Sequence, residues 1–371
     1  MKYYIIAGEA SGDLHASNLM KELKKKDTQA EFRCWGGDLM KAQGATLVKH
    51  YRDLAFMGFV EVLVNMRTIL KNIKFCKNDI HQFRPDAIIL VDYPGFNMRI
   101  ADFAKQAGFK VFYYISPQIW AWKQNRVYKI KRTVDKMFVI LPFEKEFYNR
   151  FDYKVDFVGH PLLDAINDRL NSSEIKQFRI SEKLSGKPII AILPGSRKQE
   201  IQKMLPVMLD ITKQFNNYEF VIAGVTSLAE SFYKSICKDS DVKVIYGKTY
   251  HILANADAAV VTSGTATLET ALFDVPEVVC YKGSAISYML AKKLVKVKYI
   301  SLVNLVMDQQ IVTELIQKDF NSEKLTAELK KLLSRENADE MKRKFNELKS
   351  KLGGVGASVK TADRIFRALQ L

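Results

Sequence analysis

At 371 residues the chain is longer than one hydrophobic core usually serves, so two domains of ordinary size are expected. Apolar residues make up 48% and aromatics 11%, which excludes a disordered chain. The formal charge of +16 and a pI near 9.4 favour an anionic partner, whether nucleic acid, a membrane surface or a phosphorylated substrate, and charge alone does not choose among them.

The opening MKYYIIAGEASGD reaches Gly8 and Glu9 after a few apolar positions, too soon for the core of a secretory signal. No apolar run approaches the roughly 18 residues of a membrane span, so a soluble or peripheral protein is expected. Cys34, Cys76, Cys237 and Cys280 lie far apart without a CxxC pair, and the histidines include no HExxH. Neither a zinc site nor a disulfide framework is expected, and no metal cofactor.

In chain order, KYYIIA (2–7) reads as a strand and the helix after it starts at about Leu14. The turn between them, AGEASGD, carries Gly8, Ser11 and Gly12, small residues that let a ligand approach the amides of a helix start. It lacks GxGxxG, and Glu9 and Asp13 argue against a simple pyrophosphate cradle, so a ligand loop and a tight structural turn both fit. FMGFVEVLVNMRTILKNIKF (56–75) is apolar on several sides with scattered positive charge. It suits a buried helix, an acyl-chain pocket or a segment lying on a bilayer.

DAIILVD (86–92) is the next strand, and it leaves Asp92 at its carboxyl end before the turn Pro94-Gly95 and a helix from about Asn97. An acid held there can take a proton from an attacking hydroxyl, although Asp is also a frequent turn former. KVFYYIS (110–116), KMFVIL (136–141) and KVDFVG (154–159) continue the series, while KQNRVYKIKRTVDK (123–136) adds basic surface. Continuous apolar strands separated by helices indicate a parallel sheet covered on both faces. The polar stretch 164–187 carries no strand and reads as a linker.

A second series follows: PIIAILPG (188–195), YEFVIAG (218–224), VKVIYG (242–247), DAAVVTSG (257–264) and PEVVCYK (276–282). LPGSRKQEI ends the first of these strands and opens a helix with Arg197 exposed, where a guanidinium can fork onto a diphosphate. TSGTATLETA repeats the arrangement, with Ser263, Gly264, Thr265 and Thr267 at the helix start and Glu269 one turn in, placed to accept ribose hydroxyls. After about Ser322 only helices are predicted. The expected architecture is α/β, two Rossmann-like parallel-sheet domains facing across a cleft: residues 1–165 and 166–349, with a C-terminal helix from about 350 to 371 able to pack back on the first.

Together AGEASGD, GFVEVL, ISPQIWAWKQNRVYKIK, ILPFEKEFY, FVGHPLLD, LPGSRKQEI, TSGTATLE and LVKVKYISLVNL closely resemble, in the same order, the lipid A disaccharide synthase family of glycosyltransferase B architecture. The resemblance implies inverting transfer of a diacylated glucosamine from UDP-2,3-diacylglucosamine to 2,3-diacylglucosamine 1-phosphate with release of UDP. It implies Asp92 as the general base or an essential acidic residue of the acceptor side, Glu9, Ser11, Gly12 and Asn97 near it, and Arg197, Ser263, Gly264, Thr265, Glu269 and Asn304 around UDP. The family often carries a second Asp three residues after the first, where this chain has Gly95. A cytoplasmic enzyme, independent of metal and peripheral on the inner face of the inner membrane, touching anionic lipid, follows from the same resemblance. Other readings are a UDP-N-acetylglucosamine-dependent cell-wall transferase or epimerase of similar fold, and a basic nucleic-acid-binding protein. IWAW argues against the first pair. No RNA or DNA motif supports the last, and no nucleic-acid partner is expected.

Overall fold

The computed structural model describes residues 1–54, 66–170, 173–238, 240–283 and 298–370, without the side chains of 168–170 and 173. Its contacts group into two compact units, residues 1–165 with 352–371, and residues 166–351.

Among the described residues of the first unit seven strands form one sheet: β1 Lys2–Ala7, β2 Glu31–Gly36, β3 Thr46–His50, β4 Ala87–Val91, β5 Lys110–Tyr114, β6 Lys136–Val139 and β7 Asp156–Phe157. They lie in the order β3-β2-β1-β4-β5-β6-β7, each pair parallel. β4 is buried at every position and β1 from Tyr3 onward, as a sheet covered on both faces requires. β2 and β3 were not apparent in the sequence because charged residues interrupt them. Arg33 of β2 is fixed by Asp79 of the helix Met66–Phe83, through Nε to Oδ2 at 2.8 Å and Nη2 to Oδ1 at 2.6 Å. Asp79 also accepts the Tyr4 hydroxyl at 2.7 Å, and Tyr4 accepts the Trp35 indole N–H at 2.8 Å. One buried carboxylate thus joins β1, β2 and that helix.

The C-terminal helix Ala357–Gln370 packs on the helix Ala10–Lys26. Asp164 receives it, accepting the backbone N–H of Gly356 at 2.6 Å and of Ser358 at 2.9 Å, which satisfies two otherwise unpaired donors at the helix start. The His160 N–H bonds the Leu352 carbonyl at 2.9 Å, so FVGHPLLD is where the chain's end is received.

The second unit holds, among its described residues, a six-stranded parallel sheet in the order β10-β9-β8-β11-β12-β13. The strands are β8 Ile189–Leu193, β9 Glu219–Gly224, β10 Lys243–Tyr246, β11 Ala258–Thr262, β12 Glu277–Tyr281 and β13 Thr313–Ile316. Alternate residues enter two cores: Ile190, Ile192 and Val260 pack with Leu205 and Leu325, while Ile189, Ala191 and Val261 pack with Phe178 and Ile252. Among its described residues the stretch 164–187 has no strand, but it is not loop: it lies mostly in the helices Pro161–Leu170 and Ser173–Ser181, and Phe178 of the latter is buried in the core. In each unit strand order reverses between the first strand and its neighbour, β1 with β4 and β8 with β11. Such open sheets bind ligands at the carboxyl ends beside that reversal.

Candidate active site

The reversal in the first unit places the Gly8–Asp13 turn beside the Asp92–Asn97 turn. Asp92 and Tyr93 both adopt left-handed backbone, φ 44° and 48°, before the helix Pro94–Gln106. Two consecutive non-glycine residues there are costly and need support, about 1–2 kcal/mol each. The support is specific. The Asp92 N–H donates to the Tyr114 carbonyl at 3.1 Å, and the Asp92 carbonyl accepts the Tyr113 hydroxyl at 2.6 Å and Asn97 Nδ2 at 2.7 Å. Asn97 is fully buried, so this side chain of the expected acceptor side braces the turn from behind.

The Tyr93 ring lies against Gly8, where a Cβ would come within 2.2 Å of its Cγ, and it stacks on Phe96 at 5.7 Å. Gly12 is buried against Ala7, with a Cβ position 3.2 Å from the Ala7 Cβ, so it serves close strand–helix packing. Glu9 and Ser11 are exposed at the helix start. The Asp92 carboxyl is half-buried; burial and then the nearby Glu9 charge push its pKa up to about 6, against a bond from the Tyr93 N–H that holds it down. It is therefore ionised at neutral pH yet more basic than an ordinary carboxylate. Asp13 plays no part here. It is buried and accepts the N–H groups of Gly37, Leu39 and Met40 at 2.8, 3.1 and 3.1 Å, capping the short helix Asp38–Ala42. At Gly95 a Cβ would meet nothing within 4 Å, so crowding does not forbid a second acid there.

ISPQIWAW and LPFEKEFY prove to be one packed assembly beyond β5 and β6. Glu144 is buried and accepts the Ile140 and Leu141 N–H groups at 3.1 and 2.9 Å. Burial pushes its pKa up to about 7, while those N–H groups and the Ser116 and Trp120 side chains hold it down. Ser116 Oγ lies 2.7 Å from the Tyr148 hydroxyl, and Trp120 meets Phe143 edge-on at 4.9 Å.

In the second unit, β8 is followed by Gly195 at φ 114°, where a Cβ would lie 2.2 Å from Glu200 Oε2. That oxygen accepts the Ser196 N–H at 3.0 Å and closes the turn. Arg197 stands at the N-cap position of the helix Lys198–Asp210 without a side-chain capping bond, exposed and without an ion pair among the described residues. Beyond β11, Ser263 donates to the Ile300 carbonyl at 3.1 Å; Gly264 and Thr265 are exposed at the start of the helix Thr265–Leu272. Glu269 is half-buried and accepts the Tyr250 hydroxyl at 2.7 Å.

Asn304 is placed differently from the rest. It is fully buried; Nδ2 donates to the Val312 carbonyl and Glu314 Oε1, both at 2.9 Å, and Oδ1 accepts the Ile311 and Val312 N–H groups at 2.7 and 3.0 Å. Those bonds use the whole amide, so Asn304 braces residues 311–314 instead of offering a free group. Glu314 also accepts the Ile300 and Ser301 N–H groups, each at 3.0 Å by its shorter contact. Tyr93, Tyr113, Tyr250 and Glu314 were missed in the sequence because each acts through a neighbour that is distant along the chain. GFVEVL, the first four residues of LVKVKYISLVNL, and residues 56–65 of the apolar segment lie outside the described residues. Among the described residues no three His, Cys, Asp or Glu converge as metal ligands, and no helix is long and apolar enough to cross a membrane.

Two open parallel sheets, each carrying its candidate groups at the strand-order reversal, define the glycosyltransferase B class of α/β fold. Solved structures agree at the level of fold: UDP-GlcNAc 2-epimerase from Neisseria meningitidis bound to UDP-GlcNAc (TM-score 0.68, 12% identity, 99% of this chain and 100% of that one), and the S. aureus MnaA–UDP complex (TM-score 0.70, 12%, 100% and 97%). A family model described as lipid-A-disaccharide synthetase matches residues 3–364. The lipid-A-disaccharide synthase of Syntrophus aciditrophicus is 40% identical over 367 residues, 96% of this chain and 95% of that protein. That of Geobacter metallireducens is 37% identical over 373 residues, 98% and 96%. The chain belongs to the lipid-A-disaccharide synthetase family.

The Gly8–Tyr93 contact is open to a double-mutant test. Gly8→Ala is expected to destabilise the protein by about 1–3 kcal/mol through overpacking, and by much less in a Tyr93→Ala background where the ring is gone. Equal costs in the two backgrounds, measured by urea denaturation, would show that the ring is not what Gly8 accommodates.

Proposed function

We propose that this chain transfers 2,3-diacylglucosamine from UDP-2,3-diacylglucosamine to 2,3-diacylglucosamine 1-phosphate, forming the β-1,6-linked lipid A disaccharide 1-phosphate and UDP. The observation that carries the chemistry is Asp92, half-buried on a strained and braced turn beside Glu9, with a pKa near 6. Its carboxylate takes the proton of the acceptor 6-hydroxyl as that oxygen attacks the anomeric carbon from the face opposite UDP. The new C–O bond forms as the bond to the diphosphate oxygen breaks; the electron pair leaves with UDP and the configuration inverts. Arg197 and the amides at Gly264–Thr265 offset the charge on the departing diphosphate, and Glu269 receives the ribose. We propose that no metal ion takes part, since a guanidinium at a helix start and oriented amides supply the same stabilisation.

The first check is product formation from the two diacylated substrates in excess chelator, with kcat/KM followed against pH. A base of pKa about 6 is deprotonated above that pH, so the rate is expected to hold at neutral pH and fall about tenfold per unit below 6. Asp92→Asn is expected to abolish transfer at every pH while UDP still binds. A folded variant with near-normal turnover would remove Asp92 from the reaction, and activity that needs added magnesium would remove the metal-free reading.

On the donor side, Arg197→Ala is expected to weaken UDP binding by roughly one to two decades, the effect of losing a charged hydrogen bond of about 1.5–3 kcal/mol. An unchanged calorimetric titration would place the diphosphate elsewhere.

We further propose a cytoplasmic enzyme held peripherally on the inner face of the inner membrane. The helix Met66–Phe83 supports this: Leu70 and Phe75 are 55% and 50% exposed, beside the exposed Arg67, Lys71 and Lys74. Apolar side chains interleaved with cations suit an anionic bilayer surface. Co-sedimentation with anionic vesicles should be strong at low salt, weaker at high salt, and reduced in Leu70→Ser/Phe75→Ser. Unaltered pelleting of that folded variant would assign the contact to another surface.

A further inference from the structure

The loop leaving β5 carries a feature that the transfer chemistry above does not use. Of the four cations between residues 123 and 131, Lys129 pairs with Asp102 at 3.3 Å and Lys131 with Asp152 at 3.5 Å. Lys123 and Arg126 have no carboxylate partner among the described residues. Both instead lie over the ring of Trp122, with Lys123 Nζ 4.2 Å and Arg126 Cζ 5.6 Å from its centroid. Trp122 is itself 51% exposed. An aromatic face attracts a cation without neutralising it, so the ring sets where the two charges stand and leaves both free for an anion.

The platform is anchored. Gln124 Nε2 donates to the Trp120 carbonyl at 3.1 Å, the Lys123 N–H to Ile119 at 3.2 Å and the Arg126 N–H to Lys123 at 3.0 Å. Trp120 is held edge-on by Phe143, and behind it Glu144 secures the end of β6. The loop begins at Ile115, a β-branched residue at φ 67°, a conformation such residues adopt only under constraint. It also begins next to Asp92: β5 is the neighbour of β4, and Asp92 N–H bonds Tyr114, the last residue of β5.

We propose that Trp122, Lys123 and Arg126 form a subsite for the phosphate monoester of the acceptor sugar, placed on the carboxyl edge of the sheet that carries Asp92. The inference rests on the proposed transferase reading and adds the source of its acceptor selectivity. A monoester bears a charge of about −1.5 to −2 with three acceptor oxygens, which matches two unpaired cations, one of them a fork of N–H donors. Continuity with the Asp92 edge favours the acceptor as occupant over bilayer phosphodiesters, which have a separate apolar and basic face on the helix Met66–Phe83.

Kinetics of the full chain with two short-chain, micelle-free acceptors, the diacylglucosamine 1-phosphate and the same sugar without its phosphate, test this at fixed donor. Wild type should prefer the phosphorylated acceptor by about tenfold or more in kcat/KM, the scale of one lost charged hydrogen bond. Lys123→Gln/Arg126→Gln should raise KM for that acceptor by a similar factor. KM for the UDP-sugar and turnover of the unphosphorylated acceptor should stay unchanged, so that the preference collapses. Lys123→Arg should retain it. No disaccharide from wild type with either acceptor would overturn the transferase reading and this subsite with it. Disaccharide formed with equal losses on both acceptors, or a loss seen only when substrates are presented in anionic vesicles, would overturn the subsite alone and, in the second case, assign the cations to the bilayer.

Discussion

The backbone at Asp92 and Tyr93 is the constraint on which the first unit's chemistry depends. A left-handed pair of non-glycine residues would relax unless the surrounding fold held it. The holding groups come from three places along the chain: Asn97 on the following helix, Tyr113 and Tyr114 on the neighbouring strand, and Gly8, whose lack of a side chain admits the Tyr93 ring. The parallel sheet brings them together because β4 lies between β1 and β5. The turn then carries the carboxyl to a half-buried position near Glu9, and its raised basicity follows from that placement. Fold, strain and protonation are one chain of causes.

The same topology yields opposite electrostatics in the two units. In the first, the reversal gathers Glu9 and Asp92, and the only other acid of that turn, Asp13, is turned away to cap a short helix. In the second, the reversal presents helix starts after Gly195 and Gly264 together with Arg197, and the acids have protein partners: Glu200 closes its turn, Glu314 binds backbone amides, and Glu269 accepts Tyr250 through Oε1. A sheet of this kind does not choose its ligand's charge. The few residues at the strand ends do.

Apolar runs made most of the fold legible. β1, β4, β8 and β11 are buried along nearly their whole length, and uninterrupted hydrophobic sequence announces that. β2, β3 and β13 escaped notice because Arg33, Lys49 and Glu314 break the pattern, and the partners that permit a charge there are unrelated in sequence position: Asp79 for Arg33, Asn72 for Lys49 at 2.8 Å, and the amides of residues 300–301 for Glu314. Likewise Asp92 and Arg197 could be located from a strand end followed by a small-residue turn. The part played by Asn97 and Asn304 could not, since a buried amide that braces backbone looks in sequence like a polar group available to ligand. Glu144 and the aromatic strings around it were recognisable as specific, but their packing against one another needs the adjacency of β5 and β6.

The excess of positive charge also becomes intelligible once positions are known. Many cations are spent on local pairs, such as Arg33 with Asp79, Lys105 with Asp135 and Lys349 with Asp274, and these say nothing about partners. What distinguishes Lys123, Arg126 and Arg197 is the absence of a carboxylate partner among the described residues together with a backbone position in the segments that follow β5 and β8, the first two over the Trp122 ring and the third at a helix start. An unpaired cation on a mobile surface costs little and signifies little, because water and salt screen it. One whose position is set by a braced loop or a helix start keeps its field pointed in one direction, and it can recognise an anion without first paying to be ordered. Net charge therefore counts for less than how many charges the backbone has already oriented.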